Sequence, residues 1–323
     1  MGNVNSRAIN QNNIKQSHPN KKCFIKMPSN FTLWLMLMPG VIYFLIFSYL
    51  PMSGIVLAFK DYTFAQGIFG SPWVGLKNFE FFFIGGKGFS VILNTAGYNF
   101  AFIVLNTTLQ VIMAMFLSEA VSKIFVRATQ TMLFFPYFLS WVIVGAFMLN
   151  LFNYNHGAVN SFLQSLNMEP VDVYSEIWIW KYIIVFMQVW KWLGYGTIIY
   201  LAAVVGIDKG MYEAAQIDGA NKFQETIYIT LPSLVPYIIT LLLINIGNIF
   251  RGDFDMFYQI TGNNPILYQS TDVIDTFVVR SLLQLNDFGM TTAAGLMQSV
   301  FSLIILLLAN TLIKRVAPDS ALF

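Results

Sequence analysis

Glu213-Ala-Ala-Gln-Ile-Asp-Gly-Ala220, running on through Asn221 to Leu231-Pro232, is a polar, helix-forming island between two long apolar segments. Glu213, Ala214, Ala215 and Gln216 are strong helix formers, Gly219 can take the left-handed conformation that ends a helix, and Pro232 suits the first turn of the next one. The stretch therefore predicts two short helices meeting at a turn. Such a knob, projecting from a membrane domain, is suited to docking into a groove on another protein.

The surroundings of the island establish that membrane domain. Of the 323 residues, 56% are hydrophobic and 11% are charged, whereas soluble domains carry about 25% charged residues. The chain is an integral membrane protein. Its net charge of +2 gives no hint of a nucleic-acid partner, and a single cysteine, Cys23, excludes an internal disulfide framework. With only His18 and His156 besides, no metal site is expected.

A membrane-crossing helix needs about 20 mostly apolar residues, and six stretches qualify. They begin with Phe31 to Leu50, extending toward Phe59 and marked by Pro39 and Pro51, followed by Val91 to Leu117 and Met132 to Phe152. Tyr182 to Val205, Leu234 to Phe250 and Thr292 to Ile313 complete the set. The expected fold class is thus all-α, a polytopic protein with six transmembrane helices. Residues 1–27, rich in Asn, Gln, Lys and Ser, form a flexible tail ahead of a transmembrane domain at 28–323, in which 206–232 is the loop between the fourth and fifth spans.

Basic residues set the orientation. Arg7, Lys15, Lys21, Lys22 and Lys26 in the tail, then Lys123 and Arg127, Lys209 and Lys222, and Lys314 with Arg315 all fall on one side if six spans alternate. The positive-inside rule makes that side cytoplasmic, with both termini there. The acidic, aromatic loops at 153–180 and 252–291 then face outward. Gly85-Gly-Lys-Gly88 lacks the earlier glycine and the following Ser or Thr of a phosphate-binding loop, and no other nucleotide motif is present. Met1-Gly-Asn-Val-Asn-Ser6 fits an acylation pattern that is short and common by chance.

The spans are not uniformly apolar. Asn94, Asn99, Asn106 and Gln110 lie in the second, Gln188, Lys191 and Tyr195 in the fourth, and Asn245 and Asn248 in the fifth, with Arg251 at its outer end. Polar groups at membrane depth either hydrogen-bond helix to helix or face a wet path, and ionisable ones mark candidate sites. In the fourth span, Trp190, Lys191 and Trp192 place a cation between two indoles, whose faces suit sugar rings and cations. These three are candidates for the translocation path, with Lys191 alternatively pairing a carboxylate or snorkelling outward. Asn245, Asn248 and Arg251 are candidates for the same lining or for helix packing.

The island with Ile229-Thr-Leu-Pro232 resembles the EAA loop of binding-protein-dependent ABC importers, with Glu213, Ala214, Ala215, Asp218, Gly219, Ala220, Leu231 and Pro232 in the family's places. The likeness extends through Pro39-Gly-Val-Ile-Tyr43, Val74-Gly-Leu-Lys-Asn-Phe79, Thr271-Asp-Val-Ile-Asp-Thr-Phe277 and Ala293-Ala-Gly-Leu-Met-Gln-Ser299 to the carbohydrate branch related to the LplB permeases. The resemblance implies a type I importer permease fold of the MetI-like kind in a bacterial cell membrane. It also implies that Glu213, Ala214, Ala215, Asp218, Gly219, Ala220 and Pro232 couple the chain to an ATPase. This chain is then no enzyme and holds no cofactor; ATP and Mg belong to two cytoplasmic ATPase subunits. The further implied partners are a second related permease in a heterodimer, with a homodimer as the alternative, and an extracytoplasmic solute-binding protein. The implied cargo is an oligosaccharide, acidic plant-wall or uronide-derived ones included. An ion- or proton-coupled secondary transporter of sugars is the alternative, which requires inverted repeats and carboxylates at mid-membrane. Neither occurs, because Asp and Glu gather in the loops.

Overall fold

The computed structural model describes residues 29–83 and 86–318. The tail 1–27 and the first glycine of Gly85-Gly-Lys-Gly88 lie outside them. The chain divides into two compact units, Met1–Ser53 and Gly54–Phe323. In the first, helix α1 (Ser29–Phe44) contains Pro39 and passes into a wider π turn at Leu45–Tyr49.

The second unit is built of helices, and the one strand-like feature among its described residues is an isolated bridge between Lys60 and Trp73. Its main elements are α2 (Lys87–Glu119), α3 (Lys123–Phe134), α4 (Trp141–Phe152), α5 (Ala158–Ser165), α6 (Ile179–Val205), α7 (Lys209–Ile217), α8 (Lys222–Ile246), α9 (Phe254–Thr261), α10 (Ile274–Arg280) and α11 (Phe288–Val316). Five stretches are long and apolar enough to cross a membrane: Leu33–Phe59, Gly88–Glu119, Ile179–Val205, Lys222–Ile246 and Phe288–Arg315. The bent pair Lys123–Phe138 and Trp141–Phe152 makes a sixth if counted as one span.

That pair corrects the expectation of one straight helix from Met132 to Phe152. The two halves meet at 93°. Pro136 has no N–H to give, and Ser140 accepts from the Ile143 N–H at 3.4 Å, so the second half starts as a freshly capped helix. The fifth span also departs from expectation. Helix α8 starts at Lys222, ten residues before Pro232, and widens into a π turn at Thr226–Thr230 just ahead of the proline. The added turn makes room where Pro232 cannot continue the ordinary hydrogen-bond ladder.

Helices α2 and α6 run parallel and form the axis of the unit. At one end Tyr98 and Phe102 of α2 pack with Trp180 and Ile184 of α6, Trp141, Val144 and Met148 of α4, and Met256, Phe257 and Ile260 of α9. At the other end Val111, Ala114 and Leu117 meet Tyr200, Leu201, Val204 and Leu234. Between lipid-exposed helices close approach rather than water exclusion drives packing, and small residues permit it. Gly194 lies against the Leu133 backbone, and Gly145 against Gln259 of α9.

Candidate functional site

Two places carry chemistry that the packing does not account for. One is the hairpin at 206–232, the other a cavity between α2, α6 and α8.

In the hairpin, Asp208 caps α7 by accepting from the Gly210 N–H at 3.0 Å. The helix ends after Ile217, and Gly219 takes φ +84°, a left-handed conformation that suits glycine. Asn221 and Gln224 then form a reciprocal capping box at the start of α8, at 2.9 and 2.8 Å. The two arms are stapled by Gln216 Nε2 donating to Glu225 at 3.0 Å and by the Tyr212 and Thr230 hydroxyls at 2.9 Å. Glu225 is buried and paired with Lys222 at 2.7 Å, while Thr226 donates to Glu119 at the end of α2. The hairpin is thus joined to α2 by side chains and to α8 by the chain itself. Its outward surface presents Glu213, Ala214, Asp218 and Gly219, with Ile217 87% and Phe223 73% exposed. Ala215 and Ala220 are half-buried, and Pro232 lies further along α8. Ile217 and Phe223 are absent from the motif positions quoted above, yet a helical wheel through Glu213 places Ile217 four residues on, over the same face.

The cavity has a volume of about 450 Å³. From α2 it is lined by Asn99, Phe102, Ile103, Asn106 and Gln110, a run at helical spacing that puts the polar side chains on one face. From α6 come Gln188, Trp192, Tyr195, Gly196 and Ile199 at the matching spacing, and from α8 and the segment after it Leu241, Asn245, Asn248, Arg251, Gly252 and Asp253. The polar groups are ordered by one another. Asn106 donates to Gln188 at 2.6 Å, and Gln110 bridges to Asn106 at 3.4 Å and to the Trp192 carbonyl at 3.0 Å. Beside them the rings of Tyr137 and Tyr195 stack at 4.9 Å, with Trp192 edge-on to both at 5.3 and 5.7 Å. A row of amides next to a fixed aromatic cluster offers hydrogen bonds to hydroxyls and an apolar face to a pyranose ring.

Of the candidate path residues, the structure brings Trp192, Asn245, Asn248 and Arg251 to this cavity. It does not bring Trp190 or Lys191 there. Trp190 is about 200° of helical turn from Trp192 and packs against the core of Trp141, Trp180 and Phe257. Lys191 is 7% exposed, donates to the Leu139 carbonyl and lies 4.6 Å over the Trp141 ring, whose indole N–H in turn holds Asp253 at 2.8 Å. Lys191 thereby fastens the break between α3 and α4 and faces the charge of Asp253 from behind the cavity wall. We expect Lys191→Met to strand the Leu139 carbonyl at a cost of about 1–3 kcal/mol. That is measurable as a lower unfolding temperature of the purified assembly, with uptake of all solutes falling by the same factor.

Asn99, Asn106, Gln110, Gln188 and Tyr195 stand out in the sequence as polar groups in spans, and their shared wall becomes visible only with the pairing of α2 and α6. Asp253 was missed. Its signal is local, since it caps α9 by accepting from the Met256 N–H at 3.0 Å.

The motif Thr271–Phe277, outside the cavity lining, holds a buried ion pair. Asp272 accepts from Thr276 at 2.7 Å and pairs with both nitrogens of Arg280, which stacks 4.0 Å over Tyr268. Burial works against the Arg280 charge, but the Asp272 carboxylate outweighs it and holds the guanidinium above its ordinary range. Burial also pushes the Tyr174 phenol up to about 12. Among the described residues there is no cluster of three metal-ligating side chains.

Membrane-spanning helices around a polar, aromatic cavity, with a stapled hairpin beyond it, are the build of a solute permease. Residues 106–318 match the family described as "Binding-protein-dependent transport system inner membrane component", and the chain belongs to that family, as a multi-pass membrane protein. It is 35% identical to protein LplB of Bacillus subtilis (strain 168) over 88% of each chain. It is 33% identical to the polygalacturonan/rhamnogalacturonan transport system permease protein YteP of the same organism, over 95% of each. Among solved structures it resembles a chain of a bacterial alginate ABC transporter in complex with an alginate pentasaccharide-bound periplasmic protein. There the TM-score is 0.80 and the identity 32%, covering 89% of this chain and 95% of that one.

Proposed function

We propose that this chain is the permease half of an ATP-driven importer whose cargo is an acidic oligosaccharide, taken through the cavity between α2, α6 and α8. The observation that carries the reading is the cavity wall itself. The amides of Asn99, Asn106, Gln110, Gln188, Asn245 and Asn248 match a hydroxyl-rich solute, the Trp192–Tyr195–Tyr137 cluster matches ring faces, and Arg251 supplies a cation for a carboxylate. Among the described residues Arg251 forms no ion pair of its own. The relatives named for polygalacturonan/rhamnogalacturonan and alginate support an acidic cargo.

Power comes from outside the chain. With no nucleotide motif here, ATP and its Mg belong to a pair of ATPase subunits that receive the hairpin face of Glu213, Ala214, Ile217 and Gly219 on the cytoplasmic side. Their closure moves the hairpin, and α2 and α8, to which it is fastened, shift the cavity between its two openings. A second related permease completes the pore, and an external binding protein delivers the solute. Pull-down of the chain in mild detergent with its ATPase tests the assembly.

The cargo is tested separately, by uptake into proteoliposomes of the full complex. Trp192→Ala removes the edge-on ring and its stacking contribution of about 0.5–1.5 kcal/mol. The expected result is a several-fold rise in the KM for oligosaccharide, with the complex still assembled. An unchanged KM would remove the cavity from the path.

A further inference from the structure

Between the end of α8 and the start of α9 the chain is not helical, and Arg251 sits in the middle of that unwound segment. Backbone groups of three consecutive residues there are held by side chains from three different helices. Gln298 of α11 donates to the Phe250 carbonyl at 2.6 Å. Asn99 of α2 donates to the Arg251 carbonyl at 3.0 Å. Asp275 of α10 accepts from the Gly252 N–H at 2.5 Å, and the same carboxylate oxygen accepts from Gln298 at 3.1 Å.

The fit leaves no slack. A Cβ on Gly252 would sit 2.8 Å from Val273 and 2.9 Å from Asp275, so only glycine lets the strand of chain approach this closely. Helix α10 is itself fixed, because the Ile274 N–H donates to Thr95 of α2 at 2.9 Å and Phe277 stacks on Phe81 at 4.9 Å. Gln298 and Asp275 come from the two sequence motifs, Ala293–Ser299 and Thr271–Phe277, that the cavity lining otherwise leaves unexplained.

We propose that Asp275, Gln298 and Asn99 are positioning residues for Arg251: they clamp the backbone on both sides of it so that its guanidinium is presented, unpaired, to a solute carboxylate in the cavity. The inference rests on the acidic-cargo reading above. A long side chain on a loose segment would spend most of its time elsewhere, whereas one on a backbone tied at three points loses less freedom when it binds. Burial pushes the Asp275 carboxyl above its ordinary range, and the Gly252 N–H, Gln298 and the nearby Arg251 charge offset only part of that rise. The group is thus held by its donors rather than by solvent.

The test uses the complete transporter in proteoliposomes, with a uronic-acid oligosaccharide and its carboxyl-reduced neutral counterpart as probes. Arg251→Gln is expected to lower the acidic-to-neutral uptake ratio about tenfold, about 1.4 kcal/mol. Gln298→Leu and Asp275→Ala are expected to lower it about three- to tenfold, through KM for the acidic probe. Asp275→Asn, which keeps an acceptor for the Gly252 N–H, restores most of the preference. In a double variant, Gln298→Leu adds nothing to Arg251→Gln. If Gln298→Leu alters both probes equally, if the two changes add, or if Asp275→Asn is as damaging as Asp275→Ala, the clamp has no role in presenting Arg251. If Arg251→Gln itself leaves the ratio intact, the acidic-cargo reading falls and the clamp with it, whereas an effect of Arg251→Gln alone removes only the clamp.

Discussion

Gly219→Val is expected to leave the permease in the membrane and to cut solute uptake at least tenfold, with the loss appearing as failure to stimulate the ATPase proposed above. The cause lies in the backbone. At φ +84° a β-branched residue costs about 1–3 kcal/mol, and the only relief is to swing the chain out of the turn. A Cβ at this position meets nothing within 4 Å, so the effect owes nothing to crowding. That separates two explanations with one more variant. Asparagine tolerates the left-handed region far better than valine, so Gly219→Asn retains most of the stimulation if the turn angle is what matters. Both variants are compared at equal recovery of assembled complex, with ATPase rates measured with and without solute-loaded binding protein. Valine and asparagine losing stimulation alike would mean that the glycine is read as a surface by the ATPase rather than as an angle by the hairpin.

The angle matters because of what the two arms are tied to. Gln216–Glu225 and Tyr212–Thr230 make the hairpin a rigid unit, and Thr226–Glu119 carries it onto α2. Helix α8 continues unbroken from the hairpin to Asn245 and the cavity edge. On the coupling proposed above, a displacement at Gly219 would be delivered to two of the three cavity walls through packed helix rather than through loop.

This hairpin was legible in the sequence because its signals are local: helix formers, a glycine at the turn, a polar run between apolar ones. The spans were legible for the same reason, since hydropathy sums over neighbours in the chain. What escaped depends on neighbours in space. Lys191 reads as a pore cation from its own span, and only the arrival of the Leu139 carbonyl and Trp141 from the broken third span turns it into a fastening. The break was hidden for a related reason: Phe135-Pro-Tyr-Phe138 and Leu139-Ser140 are apolar enough to pass as span, and hydropathy does not register that Ser140 is a cap. Arg251 shows the converse. Its position after the fifth span marks it as a candidate, but Gln298, Asp275 and Asn99 lie 47, 24 and 152 residues away along the chain, and no spacing rule connects them.

Gly194→Val is expected to prevent assembly altogether, the larger of the two effects on folding that α6 glycines can produce. An added Cβ at Gly194 would lie 2.6 Å from the Phe134 N and closer still to the Leu133 carbonyl, both backbone atoms of α3 that no rotamer change can move. Overpacking a well-filled site costs about 1–3 kcal/mol, and a clash with backbone belongs at or above the top of that range. The outcome is loss of recoverable complex in detergent, or an unfolding transition too low to coexist with ATPase binding. Gly196, two residues on, faces the opposite case. Its Cβ would meet the Gln110 side chain, which can turn away. Gly196→Ala is then tolerated for assembly, but Gln110 leaves its bond to the Trp192 carbonyl and the cavity wall loses one of its fixed amides. The pair separates the two duties of α6: recovery of complex falls for the face against α3, and the KM for solute rises for the face against α2. If Gly194→Val assembles as well as the parent, α3 and α6 are not in backbone contact and the bend at Leu139 must be held by something other than this crossing.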